Sequence, residues 1–189
     1  SAALVDFVYL GSECAGQLAD KVRSQGLRAK GLAFVTRLLD TAALSVDDRS
    51  EGMRVARELD LALGNRDAAN AWARKQRRVL DDATRVATSA KERMTYNWPR
   101  AEVYTFLGVA HELVSDLKRS VDELPGEYDP PFRLAGIYLE IEEPDSALPL
   151  AERALALVYG PRKARVQTLL VQIHKARNDQ RAAVAAKIK

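Results

Sequence analysis

Leu134-Ala135-Gly136-Ile137-Tyr138, followed after a turn by Ala147 and Ala151, carries the pattern from which the architecture follows. A small residue precedes a planar ring by three positions. The same offset joins Ala101 to Tyr104 and Val171 to His174, so the three rings stand 34 and then 36 residues apart. A repeat of about 34 residues, read with three-and-four apolar spacing, describes helical pairs that cannot bury their apolar faces alone and do so against neighbouring pairs. The expectation is an all-α chain, an α-α superhelix of antiparallel helical hairpins with about 10–11 helices in one domain over residues 1–189.

Around it, residues 94–189 divide into units near 94–127, 128–161 and 164–189, the last incomplete. Residues 1–93 read as degenerate, repeat-like hairpins. Trp98-Pro99 opens a short helix that Gly108 ends, and a partner runs from His111 to Leu124. Asp129 is placed to cap a helix that begins with Pro130-Pro131 and reaches Ile141, and its partner spans Ser146–Val158. Toward the N-terminus, helices are expected over Ala2–Leu10, over Glu13–Gln25 with Gly26 as its stop, and over Leu27–Leu44. Ser45-Val46-Asp47-Asp48 resembles a capping box for a helix to Leu63. Gly64-Asn65 breaks that helix, and a long one follows from Asp67 to about Arg93. Ala182-Ala183 begins the last helix.

Composition limits the classes of function. With 47% hydrophobic and 29% charged residues the chain is neither disordered nor rich enough in apolar runs to span a bilayer, and it reads as soluble. The net charge of +3 is weakly basic. The densest basic segment, Arg74-Lys75-Gln76-Arg77-Arg78, runs straight into Asp81 and Asp82, which reads as a solvated helix face and argues against nucleic acid. The single cysteine, Cys14, can form no internal disulfide and lacks Cys-x-x-Cys spacing. It reads as a small buried thiol.

Leu134-Ala135-x-x-Tyr138 with Ala147 and Ala151 resembles the tetratricopeptide repeat. Ala101-x-x-Tyr104 with Gly108 and Pro125 resembles it too, with Arg100 where the repeat wants Leu, and Leu170-Val171-x-x-His174 with Ala183 is a third, weaker copy. That resemblance implies protein or peptide partners. A narrower one covers roughly residues 45–180. The strings Ser45–Ser50, Tyr128–Ala135 and Val158–Val166 are similar to the helical region that follows a thioredoxin domain in some bacterial proteins. It implies a docking or scaffolding segment beside another domain of the parent chain and, where that resemblance holds, a periplasmic or exported setting; the residues alone leave the compartment open, the cytoplasm included. The redox chemistry of that family resides in a Cys-x-x-Cys that has no counterpart here, so no catalytic residue carries over.

No chemistry-bearing motif was found. Two histidines without metal-ligand spacing, no phosphate-binding glycine loop and no nucleophile elbow leave no catalytic, cofactor-binding or metal-ligating residue to nominate. The expectation is a binding module and not an enzyme. One turn away from the Ala135/Tyr138 stripe, the first helices should present Glu102, Thr105, Phe132, Leu139, Thr168, Gln172 and Lys175 to a partner, with Trp98 as an aromatic anchor. Arg162, Lys163 and Arg165 stand in the first turn after Pro161, where cations are disfavoured by the helix dipole, and so are candidates for contact with an anion.

Overall fold

A computed structural model describes residues 21–177, and every regular element among them is helical. There are nine α-helices within that range: α1 (Lys21–Thr41), α2 (Val46–Leu63), α3 (Arg66–Val86), α4 (Ala90–Thr95), α5 (Asn97–Phe106), α6 (Val114–Glu123), α7 (Asp129–Glu140), α8 (Pro144–Leu157) and α9 (Lys163–Ala176). Short 3-10 turns at Ala110–Leu113 and Gly160–Arg162 lead into α6 and α9. The chain forms two compact units that divide between Ala83 and Thr84. The helices expected over Ala2–Leu10 and from Ala182, and Cys14, lie outside the described residues.

In the first unit, the expected stop at Gly26 does not occur. From Lys21 to Thr41, α1 runs unbroken through Gly26 and packs against α2, so the break expected between the helices over Glu13–Gln25 and Leu27–Leu44 is absent from the described residues. An exposed glycine in a helix interior costs only about 1 kcal/mol, and the burial of Val35 and Leu39 against Met53, Val55, Ala56 and Leu59 outweighs it. Ser45 caps α2 as its sequence indicates, its Oγ accepting from the Asp48 amide at 3.1 Å. The Ser45 hydroxyl also donates to the Asp48 carboxylate at 2.8 Å. Gly64 ends the helix in the left-handed region at φ 86°, which a side chain would strain.

A polar network crosses this unit's interior. Gln76, 1% exposed, donates to Ser50 Oγ at 3.1 Å and accepts from the buried Arg57 at 3.2 Å. The Asp60 carboxylate accepts from Asn65 and from the Trp72 indole, each at 3.0 Å. Buried polar groups that satisfy one another in this way favour a single helix register.

α3 stops at Val86, several residues before the expected end near Arg93. The reason is local: Ser89 Oγ accepts from the Glu92 amide at 3.1 Å, while the Glu92 carboxylate accepts from the amide and hydroxyl of Thr88 at 2.8 and 2.9 Å. This reciprocal cap starts α4 afresh.

The second unit carries the repeat. Its first helices α5, α7 and α9 begin 32 and then 34 residues apart. Tyr104 and Tyr138 are buried, at 4% and 8% exposure, and His174 is half-buried. Ala147, Ala151 and Ala154 of α8 are fully buried, and their small side chains allow α7 and α8 to pack closely. Asp129 is not the cap of α7. Tyr128 holds that position, and Asp129 enters the first turn, where its carboxylate accepts from Arg133 at 2.9 Å. The i,i+4 ion pair thus replaces the expected cap. α8 starts at Pro144, two residues early, because proline suits a first helical position.

Candidate functional site

Each first helix of the second unit buries one stripe and leaves another accessible. α5 buries Val103 and Tyr104, α7 buries Leu134, Ala135, Ile137 and Tyr138, and α9 buries Val166, Leu169, Leu170 and Ile173. Outside these stripes, Trp98 is 51% exposed, and Thr168, Gln172 and Lys175 are exposed. Glu102, Thr105 and Leu139 are half-buried. Phe132 is half-buried too, but it packs against the Ala154, Val158 and Val166 cluster, so part of its ring serves the interior.

The segments Tyr128–Ala135 and Val158–Val166 meet in space. Tyr128 and Phe132 pack on Val158 and Val166, with the two rings 6.4 Å apart and tilted. Cations cover this aromatic pair: Arg133 lies 4.9 Å from the Phe132 ring and Arg162 lies 5.8 Å from the Tyr128 ring. Burial raises the Asp129 carboxyl above its ordinary pKa, while Arg133 and, more weakly, Arg162 oppose that shift. Arg162 is therefore engaged with Tyr128 and Asp129. Of the three cations expected at an anion, Lys163 and Arg165 face solvent without an ion pair among the described residues.

Two polar contacts of this unit escaped sequence reading. Arg100, in the position where the repeat wants Leu, is 6% exposed, donates to Asp116 at 2.8 Å and lies 5.6 Å from the Tyr104 ring. Asn97 and Ser120, both buried, share a hydrogen bond of 3.1 Å. The misplaced Arg100 was the visible signal, but its partner lies 16 positions away and no local pattern names it. α9 also carries a depression of about 220 Å³ lined by Ala164, Gln167, Thr168 and Val171, of which the sequence pattern nominates Thr168.

The basic segment of the first unit is partly consumed internally. Lys75 lies 4.5 Å from the Trp72 ring, Gln76 is buried and Arg77 pairs with Asp81 at 3.5 Å. Among the described residues, no group of three His, Cys, Asp or Glu side chains is placed to hold a metal ion, and no helix is long and apolar enough to cross a membrane.

No protein-family model matches the chain, and no curated protein sequence does. Solved structures do. BtubC (BKLC) from P. vanneervenii aligns over 98% of this chain and 77% of its own, at TM-score 0.56 and 15% identity. A putative kinesin light chain of Podosopora anserina with nearly identical TPR-like repeats aligns over 98% of this chain and 92% of its own, at TM-score 0.56 and 15% identity. MamA aligns over 88% of each chain at TM-score 0.48 and 16% identity. At such identities the first two likenesses concern fold alone, and with the helical repeat described above they establish a TPR-like all-α architecture.

Proposed function

We propose that the chain is a protein-interaction or scaffolding module whose second unit offers the first-helix face, concave in a stacked repeat, to a peptide, a helix or an adjacent domain of its parent protein. The observation that carries the reading is the accessible stripe on α5, α7 and α9, with the half-exposed Trp98 at one end and Thr168, Gln172 and Lys175 at the other. Large aromatic side chains left half in water are enriched at binding hot spots. Glu102, Thr105, Phe132 and Leu139 lie along the same stripe as half-buried contacts, and Lys163 with Arg165 supplies positive charge beside it.

The module binds without turnover on this reading. The test is a pull-down with the parent chain and with Trp98→Ala and Lys175→Glu variants whose circular dichroism matches the parent. Partners retained by the parent and lost by the variants support the reading. Identical partner sets would reject this face.

A second reading rests on the thioredoxin-linked strings, two of which pack together around Tyr128. In it the chain is the helical accessory region of a redox protein whose active site lies elsewhere. A Cys-x-x-Cys encoded upstream of Ser1 would favour it.

A further inference from the structure

α9 shows three sides. Val166, Leu169, Leu170 and Ile173 are buried on the first, which faces α8 and α7, the helices it packs against. Ala164, Thr168, Gln172 and Lys175 are exposed on the second. Val171 belongs to neither. At 3.6 residues per turn it projects about 160° away from Ile173 and about 120° away from Arg177, whose side chain donates to Asp145 of α8 at 2.6 Å. It is nevertheless only 6% exposed. Gln167 and His174 lie on the same third side, four positions before it and three after, the spacing of one helix stripe. Both are half-buried, and the His174 Nδ1 is shielded from solvent.

A valine that points away from its helix's neighbours keeps so little exposure only when further chain lies over it. That burial arises within a single chain, so no second molecule supplies the cover. Residues 178–189 leave α9 directly, and the contact of Arg177 with Asp145 holds their point of departure beside the first turn of α8. Val171 lies about 9 Å back from Arg177 along the helix axis, a distance that about three residues of extended chain span. The segment is long enough to return, since α7 and α8 are joined through residues 141–143 alone. Its composition suits the place. Ala182-Ala183-Val184-Ala185-Ala186 is an unbroken run of small apolar residues, with Ile188 beyond it. Small side chains let one segment approach a helix closely, as the buried Ala147, Ala151 and Ala154 do on α8. Attachment at Arg177 also gives the segment a high effective concentration at this helix, whereas residues 1–20 belong to the first unit.

We infer that residues 178–189 pack over the Gln167, Val171 and His174 side of α9, with the apolar run from Ala182 to Ile188 against Val171. The segment extends the apolar interior of the second unit past α9. The stripe of Thr168, Gln172 and Lys175 stays open beside it, so this occupant and an external partner use different sides of one helix. The inference goes beyond the interaction-module reading and rests on burial, not on any partner.

The test is methyl NMR of the unmodified whole chain with labelled alanine, valine and isoleucine. Nuclear Overhauser contacts are expected between the Val171 methyls and methyls of Ala182 to Ile188. Contacts of Val171 with other segments and none with residues 178–189 would overturn the inference. A second measurement reads access. In chains carrying Cys14→Ser with either Val171→Cys or Gln172→Cys, maleimide labelling is expected to be about tenfold slower at position 171 than at 172. Adding Val184→Asp and Ile188→Asp should abolish that difference by speeding labelling at 171 alone. Equal rates without the two aspartates, or protection that survives them in a chain of parental circular dichroism, would each sink the idea. Protection that grows with protein concentration would do the same, because it would put a second copy of the chain over Val171. Trp98 and Lys175 lie outside the covered side, so the pull-down tests the interaction-module reading separately and either can fail alone.

Discussion

Arg100 shows how a repeat position can change its chemistry and keep its place. Its side chain is buried beside Tyr104 and neutralised by Asp116, whose own side chain is 35% exposed. Removing one partner of a buried pair leaves an uncompensated charge, whereas replacing the buried ion with an apolar side chain of suitable size is often neutral or stabilising. Asp116→Ala is therefore expected to destabilise the second unit by about 1–3 kcal/mol, reduced from the fully buried case by solvent around Asp116. Arg100→Leu should change stability by no more than about 1 kcal/mol in either direction. Urea denaturation of both variants checks the contrast, and equal losses would show that Arg100 does not act through Asp116. Asp129 carries the pH dependence at this scale. Burial raises its carboxyl pKa, so its contribution to stability is complete below the unfolded-state value and is lost as pH rises through the raised folded-state value. Carbon-detected NMR should find Asp129 titrating above the exposed aspartates. Arg162→Ala should push it further up, because Arg162 favours the charged form, and an unmoved titration would place Arg162 away from Asp129.

Among the elements, glycine and proline act as punctuation where backbone geometry enforces it. Gly64 takes a left-handed conformation and ends α2, while Pro144 opens α8. Gly26 lies within α1, where an added Cβ would meet nothing within 4 Å. Gly26→Ala is accordingly expected to stabilise the first unit by about 0.5–1 kcal/mol. Thermal unfolding followed by far-ultraviolet circular dichroism checks this. Destabilisation would indicate the stop that the sequence suggests. Boundaries set by short-range capping are legible in part: Ser45 announces its cap, whereas the exchange among Thr88, Ser89 and Glu92 is masked by the longer helical pattern around it. Asp129, whose sequence position suggests a cap, pairs instead with Arg133.

At the scale of the whole molecule, the two compact units enclose separate cores. One is built around Val35, Val55 and Leu59, and another cluster around Ala154, Val158 and Val166. In stacked helical folds, stability is nearly a sum of local terms, so all-or-none unfolding is not required. The chain's two tryptophans divide between the units, Trp72 in the first with its indole bound to Asp60, and Trp98 in the second. A Trp98→Phe variant therefore reports the first unit by fluorescence and a Trp72→Phe variant reports the second. Different urea midpoints are expected from the two probes, after correction for the substitutions' own effects on circular dichroism. Coincident midpoints would mean that the units unfold as one.

Helical period and the small-residue face of α8 are legible in the chain alone, because each depends on residues a few positions apart, and the return of Tyr104 as Tyr138 after 34 residues marks the repeat. The repeat fold follows from those local patterns. That α1 continues through Gly26, that Arg100 meets Asp116, that Gln76 joins Ser50 and Arg57 and that Arg162 lies over the Tyr128 ring are outcomes of the packed fold. Those outcomes turn on contacts between segments distant in sequence. Burial and long-range neutralisation outweigh local preference there, and neither can be read from spacing along the chain.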